Sequence, residues 1–357
     1  MFSEHISSEV IFFFILYGIT GAVPFIAAVY LLLRRGNAFA TDVTPPVRLR
    51  RWAASFFAVA ALGHVWWYLF FIYSRNLQSA SYVVVAVLDC VALLTTIAGT
   101  LLAMLQDRKR PVWPAFAAMV PFVVLGVLQI FMPETSIMDI ATIYILSIYV
   151  LFSIYMVFAV RQYGRWLNDN YADLENKKVW LSQTVSLVCL LLFILYTLVD
   201  TDTIYILHII ELVLFALLLW RVETLPQLQL LAKPAPANPA NIDLTQIEQL
   251  LTERCVATKL YLQHDLTLQQ LALAIGTNRF YLSQYFSRQN ITYNTYISNL
   301  RINHFISRYQ EVANAQQSFT VQQLARESGY RSYSTFSLAF KQRMGQSVTA
   351  WMRDTTE

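Results

Sequence analysis

The chain has 357 residues, of which 57% are hydrophobic and only 13% are charged, and its formal net charge is +4. Soluble globular proteins carry about 25% charged residues, and disordered chains are less hydrophobic, so this composition excludes a purely soluble protein and a disordered chain. Three scattered cysteines are too few for a disulfide framework or a cysteine-bound zinc site.

Seven apolar runs occupy the first 220 residues, and each is long enough for a helix that crosses a bilayer core of about 30 Å. Backbone groups in lipid must be satisfied within the segment, so each run is predicted to be a helix. The runs cover residues 10–33, 52–73, 81–105, 112–132, 139–160, 179–199 and 203–220. The sequence therefore predicts a seven-helix transmembrane domain over residues 1–225.

The basic residues between these runs predict the orientation of the chain. Thirteen lysines and arginines lie in the loops on one side, whereas the loops on the other side contain only Arg75. Loops with an excess of lysine and arginine face the cytoplasm. The N-terminus is therefore predicted to lie on the outer side of the membrane and the C-terminus on the cytoplasmic side.

A proline-rich segment follows the last apolar run and marks a domain boundary. Residues 226–241 contain four prolines, which favour an extended, semi-rigid linker. Residues 242–357 then have the composition of a soluble domain, with eleven Lys+Arg and eight Asp+Glu. This second domain is only mildly basic, so its charge alone does not predict a nucleic-acid partner.

The second domain contains an internal repeat with an offset of 53 residues, between residues 267–276 and 320–329. Each copy begins with threonine followed three residues later by glutamine, the pattern of a capping box, and ends at a glycine suited to a left-handed helix cap. The expected first helix of each copy is therefore short and has defined ends.

A second helix is predicted after each glycine, at 278–288 in the first copy and 332–344 in the second. Apolar residues at helical spacing define one buried face in each. Two helices joined by a short turn with glycine form a helix-turn-helix, whose second helix can enter the major groove of DNA. A longer helix over 292–309 is predicted to fix the spacing of the two units.

The outward faces of the second helices supply the predicted DNA contacts. Polar and aromatic side chains that can pair with base edges or touch thymine methyls are the base-reading candidates, namely Phe280, Ser283, Gln284, Tyr333, Ser334 and Ser337. Basic side chains are the phosphate-contact candidates, namely Arg279, Arg288, Arg301, Arg331, Lys341 and Arg343. For any one serine or glutamine, a merely solvated surface is an equally good interpretation.

Residues 243–353 resemble the double helix-turn-helix domain of the AraC/XylS family of bacterial regulators. The resemblance is carried by residues 266–272 (Leu-Thr-Leu-Gln-Gln-Leu-Ala) and 329–345, which match the family's first opening and second recognition helix. In the tail, Val348 replaces the family's usual proline and Trp351 its aromatic residue. The resemblance implies a bacterial protein that binds double-stranded promoter DNA sequence-specifically and acts on RNA polymerase. The membrane bundle is similar to that of some Bacteroidetes-type membrane-bound members.

Ionisable residues inside the apolar runs are costly, and four stand out: His64, Asp89, His208 and Glu211. All lie in the predicted outer half of the bilayer, and His208 and Glu211 share a helix face at a spacing of three residues. One hypothesis is a polar cluster that senses a small-molecule or ion ligand, a proton or a metal. The alternative is a set of mutually satisfied groups that fix helix packing.

The sequence thus predicts an all-α protein of the bacterial inner membrane, in which seven spanning helices precede a cytoplasmic double helix-turn-helix domain. The expected function is a one-component transcription regulator, not an enzyme, with no cofactor and no assigned metal. Its mechanism would be a shift of the bundle that is passed through the seventh run to the linker. The chain would bind DNA while it is embedded in the lipid bilayer, as a monomer or a homodimer.

Alternatives stay open from the sequence, both for the function and for one loop. The protein could be a membrane transporter or enzyme with a regulatory DNA-binding tail, or a constitutive tether whose bundle senses nothing. The polar loop 161–178 could lie on the membrane surface, be a solvated connection, or dock onto the DNA-binding domain.

Overall fold

The computed structural model describes residues 8–34, 36–41, 43–74, 79–132, 137–174, 177–196, 204–228 and 244–356. Every regular element within these ranges is a helix. The chain divides into two units, the first with residues 1–163 and 179–229 and the second with residues 164–178 and 230–357. Most of the predicted linker lies outside the described residues.

The first unit is built from the helices that coincide with the apolar runs. They are α1 (Ser8–Leu33), α2 (Val47–Tyr73), α3 (Ala80–Met104), α4 (Trp113–Phe131), α5 (Ile137–Asn170), α6 (Trp180–Tyr196) and α7 (Ile204–Thr224). Helix α5 extends ten residues beyond the predicted run, because Tyr163 and Leu167 continue its buried face at a spacing of four residues. The last residues of α5 therefore belong to the second unit.

Among the described residues, five helices, α1 to α5, are long and apolar enough to cross a membrane. Their outward side chains are apolar: Phe25, Ile26, Ile143 and Phe158 are 61–65% exposed. Such surfaces are unfavourable in water and favourable in lipid. The helices are therefore compatible with a membrane protein, while the count of seven spans stays a prediction.

The interior of the first unit is formed where α2 packs against α1, α3 and α7. Phe57 of α2 is fully buried, and its ring centroid lies 5.7 Å from that of Phe215 of α7 in an edge-to-face arrangement. Aromatic pairs of this geometry add to the burial of apolar area. This packing brings the polar residues of α2 and α7 towards each other.

Among its described residues, the second unit contains the docked end of α5 and seven further α-helices. These are α8 (Leu244–Leu251), α9 (Leu268–Ile275), α10 (Arg279–Arg288), α11 (Tyr293–Asn314), α12 (Val321–Glu327), α13 (Tyr333–Met344) and α14 (Val348–Thr356). Helices α9–α10 and α12–α13 are the two helix pairs for which the sequence predicts helix-turn-helix units. Helix α11 contributes Ile297 to the core of the first pair and Phe305 to the core of the second, so it sets their spacing.

The ends of the short helices follow the local sequence signals. Thr267 and Gln270 form the predicted capping box at α9. At α12 only half of the predicted box is made: Thr320 accepts from the backbone N–H of Gln323, whose side-chain amide donates to Glu327 instead. The glycines that end α9 and follow α12 have φ of +82° and +87°, the left-handed conformation that their position predicts.

Candidate functional site

Helix α10 presents a polar surface opposite its buried face. Leu282 and Phe286 are buried in the core of the first helix-turn-helix pair. The predicted base-reading residues of this helix, Phe280, Ser283 and Gln284, are exposed on the other side, and Phe280 is 56% exposed. An exposed phenylalanine has no stabilising role in this core, which agrees with a surface that meets a partner.

Helix α13 repeats the arrangement in the second pair. Phe336 and Phe340 are fully buried. Of the predicted base-reading residues, Tyr333 and Ser334 are exposed and Ser337 is half-buried. Ser337 is thus less accessible than its counterparts on α10, so the first residues of α13 provide the larger part of this surface.

Four of the predicted phosphate contacts are exposed: Arg288, Arg331, Lys341 and Arg343. Two of these have partners on the protein. A guanidinium nitrogen of Arg331 lies 3.8 Å from a carboxylate oxygen of Asp265. Arg343 donates to the side chain of Asn303 at 2.7 Å and to the carbonyl of Asn299, both on α11. All four positions leave a charged group at the surface, as a phosphate contact requires.

Arg301 is a correction to the predicted contact set, because its side chain is only 2% exposed. From α11 it donates to the carbonyl oxygens of Tyr261, Gln263 and His264 at 2.7–3.1 Å. Its guanidinium also stacks over the ring of Tyr330, 5.6 Å from the centroid. Arg301 therefore holds the loop before α9 against the second helix-turn-helix pair and has no access to a phosphate.

The end of α5 and the residues after it, which we term the docking segment (residues 164–174), pack onto the first helix-turn-helix pair. Ala172 is part of that core, and its N–H donates to the carbonyl of Leu266 at 3.2 Å. Asn294 of α11 donates to the carbonyls of Tyr171 and Ala172 at 3.2 and 2.7 Å. Of the three interpretations of loop 161–178, the contacts of the docking segment favour docking. The spacing of Tyr163 and Leu167 was the signal in the sequence.

Arg279, a predicted phosphate contact, is held by the docking segment. It is half-buried, and its Nε donates to the side-chain oxygen of Asn170 at 2.9 Å. Burial lowers the pKa of Arg279, whereas Tyr171 and Asp169 act in the opposite direction. Because arginine stays charged in proteins, a cation is placed at the first turn of α10, hydrogen-bonded to the amide of Asn170 and near the carboxylate of Asp169.

The end of α7 is fixed within the first unit, which the sequence did not indicate. Glu223 is fully buried and its carboxylate lies 2.5 Å from Arg34. Three residues later the chain is hydrogen-bonded again, since Gln106 donates to the carbonyl of Pro226 at 3.0 Å and accepts from the N–H of Leu228 at 2.8 Å. A buried ion pair is costly to break, so the exit from α7 is tightly held.

Three of the four predicted polar residues of the bundle come together. Ligating atoms of His64, His208 and Glu211 lie within 4.8 Å of one another, and His208 Nδ1 is 3.3 Å from a carboxylate oxygen of Glu211. His64 Nδ1 lies 2.9 Å from the carbonyl of Ala60, and its Nε2 lies 3.0 Å from the hydroxyl of Thr20.

Asp89 lies beside this group with partners of its own. Its two carboxylate oxygens accept the indole N–H groups of Trp66 and Trp67, each at 3.1 Å. The lack of a side chain at Gly63 makes room for it, since a Cβ there would lie 2.9 Å from Asp89 Oδ1. The predicted cluster is thus a group of three with an adjacent, separately bonded carboxylate.

Comparison with known proteins bears on the C-terminal part of the chain. Residues 271–354 match the family model of a helix-turn-helix domain. No curated protein and no solved structure matches the chain. The matched range begins inside α9 and runs through α13, so it includes the exposed surfaces described above, and it suggests a cytoplasmic DNA-binding part. The match indicates a DNA-binding helix-turn-helix domain in this part of the chain.

Proposed function

We propose that this protein is a membrane-embedded one-component transcription regulator that binds promoter DNA sequence-specifically through both helix-turn-helix units. In this proposal seven helices anchor the chain in a bacterial inner membrane, with the N-terminus outside and the DNA-binding domain in the cytoplasm. The observation that carries the proposal is the pair of exposed surfaces on α10 and α13. Their spacing is fixed by helix α11, which contributes to the cores of both helix-turn-helix pairs.

The two surfaces supply complementary chemistry for recognition in the major groove. Gln284 can bond to both the N6 and N7 positions of adenine, and Phe280 can contact a thymine methyl group. Arg288 and Lys341 can neutralise phosphates, which fixes the position of the domain without selecting a sequence. Sequence specificity is therefore assigned to the serines, glutamine and aromatic residues, and affinity to the basic residues.

Replacing Gln284 with alanine is expected to weaken binding to the preferred promoter sequence by about 1–3 kcal/mol and to relax the preference at one base pair. The full chain in lipid nanodiscs would be tested against a library of genomic fragments at one stated salt concentration, because affinity for DNA depends on salt. Gln289→Ala is the matched control, since Gln289 is exposed at the end of the same helix but off this surface. Equal enrichment of one motif by both variants would contradict the assigned role of Gln284.

The proposed route of control is the docking segment. It continues directly from α5, and it contributes to the core of the first helix-turn-helix pair through Ala172. The exit of α7, by contrast, is tied to loops of its own unit through Glu223 and Gln106. A movement of α5 would therefore reach the first helix-turn-helix pair along one continuous helix. The route through the seventh run and the linker, which the sequence favours, stays a prediction.

Asn170→Ala is expected to release Arg279 and strengthen promoter binding by about tenfold, since a hydrogen bond to a charged group contributes about 1.5–3 kcal/mol. One additional phosphate contact would also make the dependence of log affinity on log salt steeper by about 0.9. Both quantities can be read from binding isotherms of the full chain at several salt concentrations. Asn168→Ala, in the same turn of α5, is the control. An unchanged salt dependence in Asn170→Ala would show that Arg279 is not held back from DNA.

A further inference from the structure

The group of His64, His208 and Glu211 has the composition of a site for a divalent transition-metal ion. Two imidazoles and one carboxylate are a common ligand set for zinc, and such sites keep a fourth position open for water or another ligand. Ligand bonds of about 2.0–2.2 Å place tetrahedral ligand atoms about 3.4 Å apart. Because the three groups already lie within 4.8 Å of one another, small side-chain rotations bring them to this distance. We propose that these residues bind Zn²⁺.

The orientation of His64 is fixed by the contact that metal-binding histidines usually make. Its Nδ1 faces the carbonyl of Ala60 at 2.9 Å, so this nitrogen carries the hydrogen. In the neutral imidazole that binds a metal, the lone pair is then on Nε2, which lies 3.0 Å from the hydroxyl of Thr20. A backbone carbonyl that selects the tautomer in this way also makes the ligating nitrogen more basic. The ring of Tyr17, with its centroid 4.9 Å away, further restricts the imidazole.

Packing between helices brings the ligands of α2 and α7 together. His208 and Glu211 lie three residues apart on α7 and thus share one face. His64 of α2 is brought close to α1 by Gly21, where an added Cβ would lie 3.3 Å from His64 Cβ. The site therefore depends on rigid helices rather than loops, which favours a defined coordination geometry.

The charges near the site favour a divalent cation. Glu211 is a ligand, and Asp89 lies beside the group with its carboxylate held by the indole N–H groups of Trp66 and Trp67. Two carboxylates in a predicted membrane span are costly unless they are compensated by positive charge. The nitrogen ligands select zinc and its neighbours over magnesium and calcium, which prefer oxygen alone.

The proposed zinc site names the signal that the regulator would sense. This regulatory role of zinc rests on the proposed function. With the N-terminus outside, the three residues lie on the order of 7–15 Å below the outer surface at 1.5 Å per residue. Zinc from outside the cytoplasm would join α2 to α7 and change their packing. A ligand can shift the equilibrium between two conformations only if it binds one of them more tightly. Zinc would bind more tightly to the conformation in which α2 and α7 place all three ligands around it.

The test is zinc binding by the full chain, carrying no histidine tag, in nanodiscs after removal of metals with a chelator. Calorimetric titration is expected to give one bound Zn²⁺ per chain. His64→Gln and His208→Gln are each expected to weaken binding by at least about 100-fold, since each removes a ligand. His304→Gln, a substitution in α11 of the second unit, should bind zinc as the unaltered protein does. Equal zinc binding in all of these variants would overturn the proposed site.

A second measurement does not depend on the folding of any variant. The unaltered protein loaded with Cu²⁺ is expected to show the coupling of two imidazole nitrogens in pulsed electron paramagnetic resonance. Signals from no imidazole or from one would overturn the ligand set. Promoter binding measured on the same samples separates the two proposals. Promoter binding without zinc binding would overturn the site alone, whereas zinc binding by a chain that binds no promoter sequence would overturn the proposed function.

Discussion

Replacing Arg301 with alanine is expected to lower the free energy of unfolding of the second unit by about 3–5 kcal/mol. The substitution leaves the carbonyl of Tyr261, which is buried, and the half-buried hydrogen bonds to the carbonyls of Gln263 and His264 without their donor. It also removes the guanidinium that covers the ring of Tyr330. The loop before α9 would then lose these three hydrogen bonds to α11 and keep the one that Tyr293 donates to Leu266.

Native-state hydrogen exchange of the full chain in nanodiscs would measure this effect at the amides of α9, α11 and α12. Arg308→Ala is the control, because Arg308 lies on the same helix but is on the surface, paired with Glu311 and Glu327. Surface ion pairs contribute little, so exchange should hardly change in that variant. If the amides were as well protected from exchange in Arg301→Ala as in Arg308→Ala, the structural role given to Arg301 would be wrong.

Replacing Gly329 with alanine is expected to destabilise the second helix-turn-helix pair by about 3 kcal/mol. The φ of +87° disfavours any residue with a Cβ, at a cost of about 1–2 kcal/mol. The added Cβ would also lie 2.9 Å from both the Cα and the carbonyl oxygen of Leu262. Since these are backbone atoms, the overlap must be relieved by moving the chain, and overpacking of this kind costs about 1–3 kcal/mol.

Gly345→Ala separates these two contributions. Its φ is +75°, but an added Cβ there meets nothing within 4 Å. Only the conformational cost of about 1–2 kcal/mol is expected for it. Exchange rates in α12 and α13 of the full chain would give both values, and equal losses of protection in the two variants would exclude a role for the contact between Gly329 and Leu262.

Arg301 and Gly329 also help to fix the relative positions of the two surfaces proposed to contact DNA. Arg301 and Gly329 both contact the loop at residues 261–264, from α11 and from the turn after α12 respectively. A fault at either position would change the spacing of α10 and α13. We therefore expect Arg301→Ala and Gly329→Ala to lose sequence-specific binding although neither residue reaches DNA.

Local patterns in the sequence were sufficient to predict the helical elements of both units. Apolar runs predicted the helices of the first unit because the length and hydropathy that a spanning helix needs are properties of one segment. The repeat predicted the two helix-turn-helix pairs because threonine caps, glycine turns and apolar positions act within a few residues. The solvent-facing residues of α10 followed from the same helical spacing.

What the sequence by itself determined is therefore the set of helices and the chemistry on their surfaces. Tertiary structure alone decided that Arg301 is buried, that the docking segment joins the first helix-turn-helix core, and that Asp89 is bonded apart from the histidines. Each of these depends on contacts between residues far apart in the chain. Such contacts are set by how whole helices pack, and no local pattern carries that information.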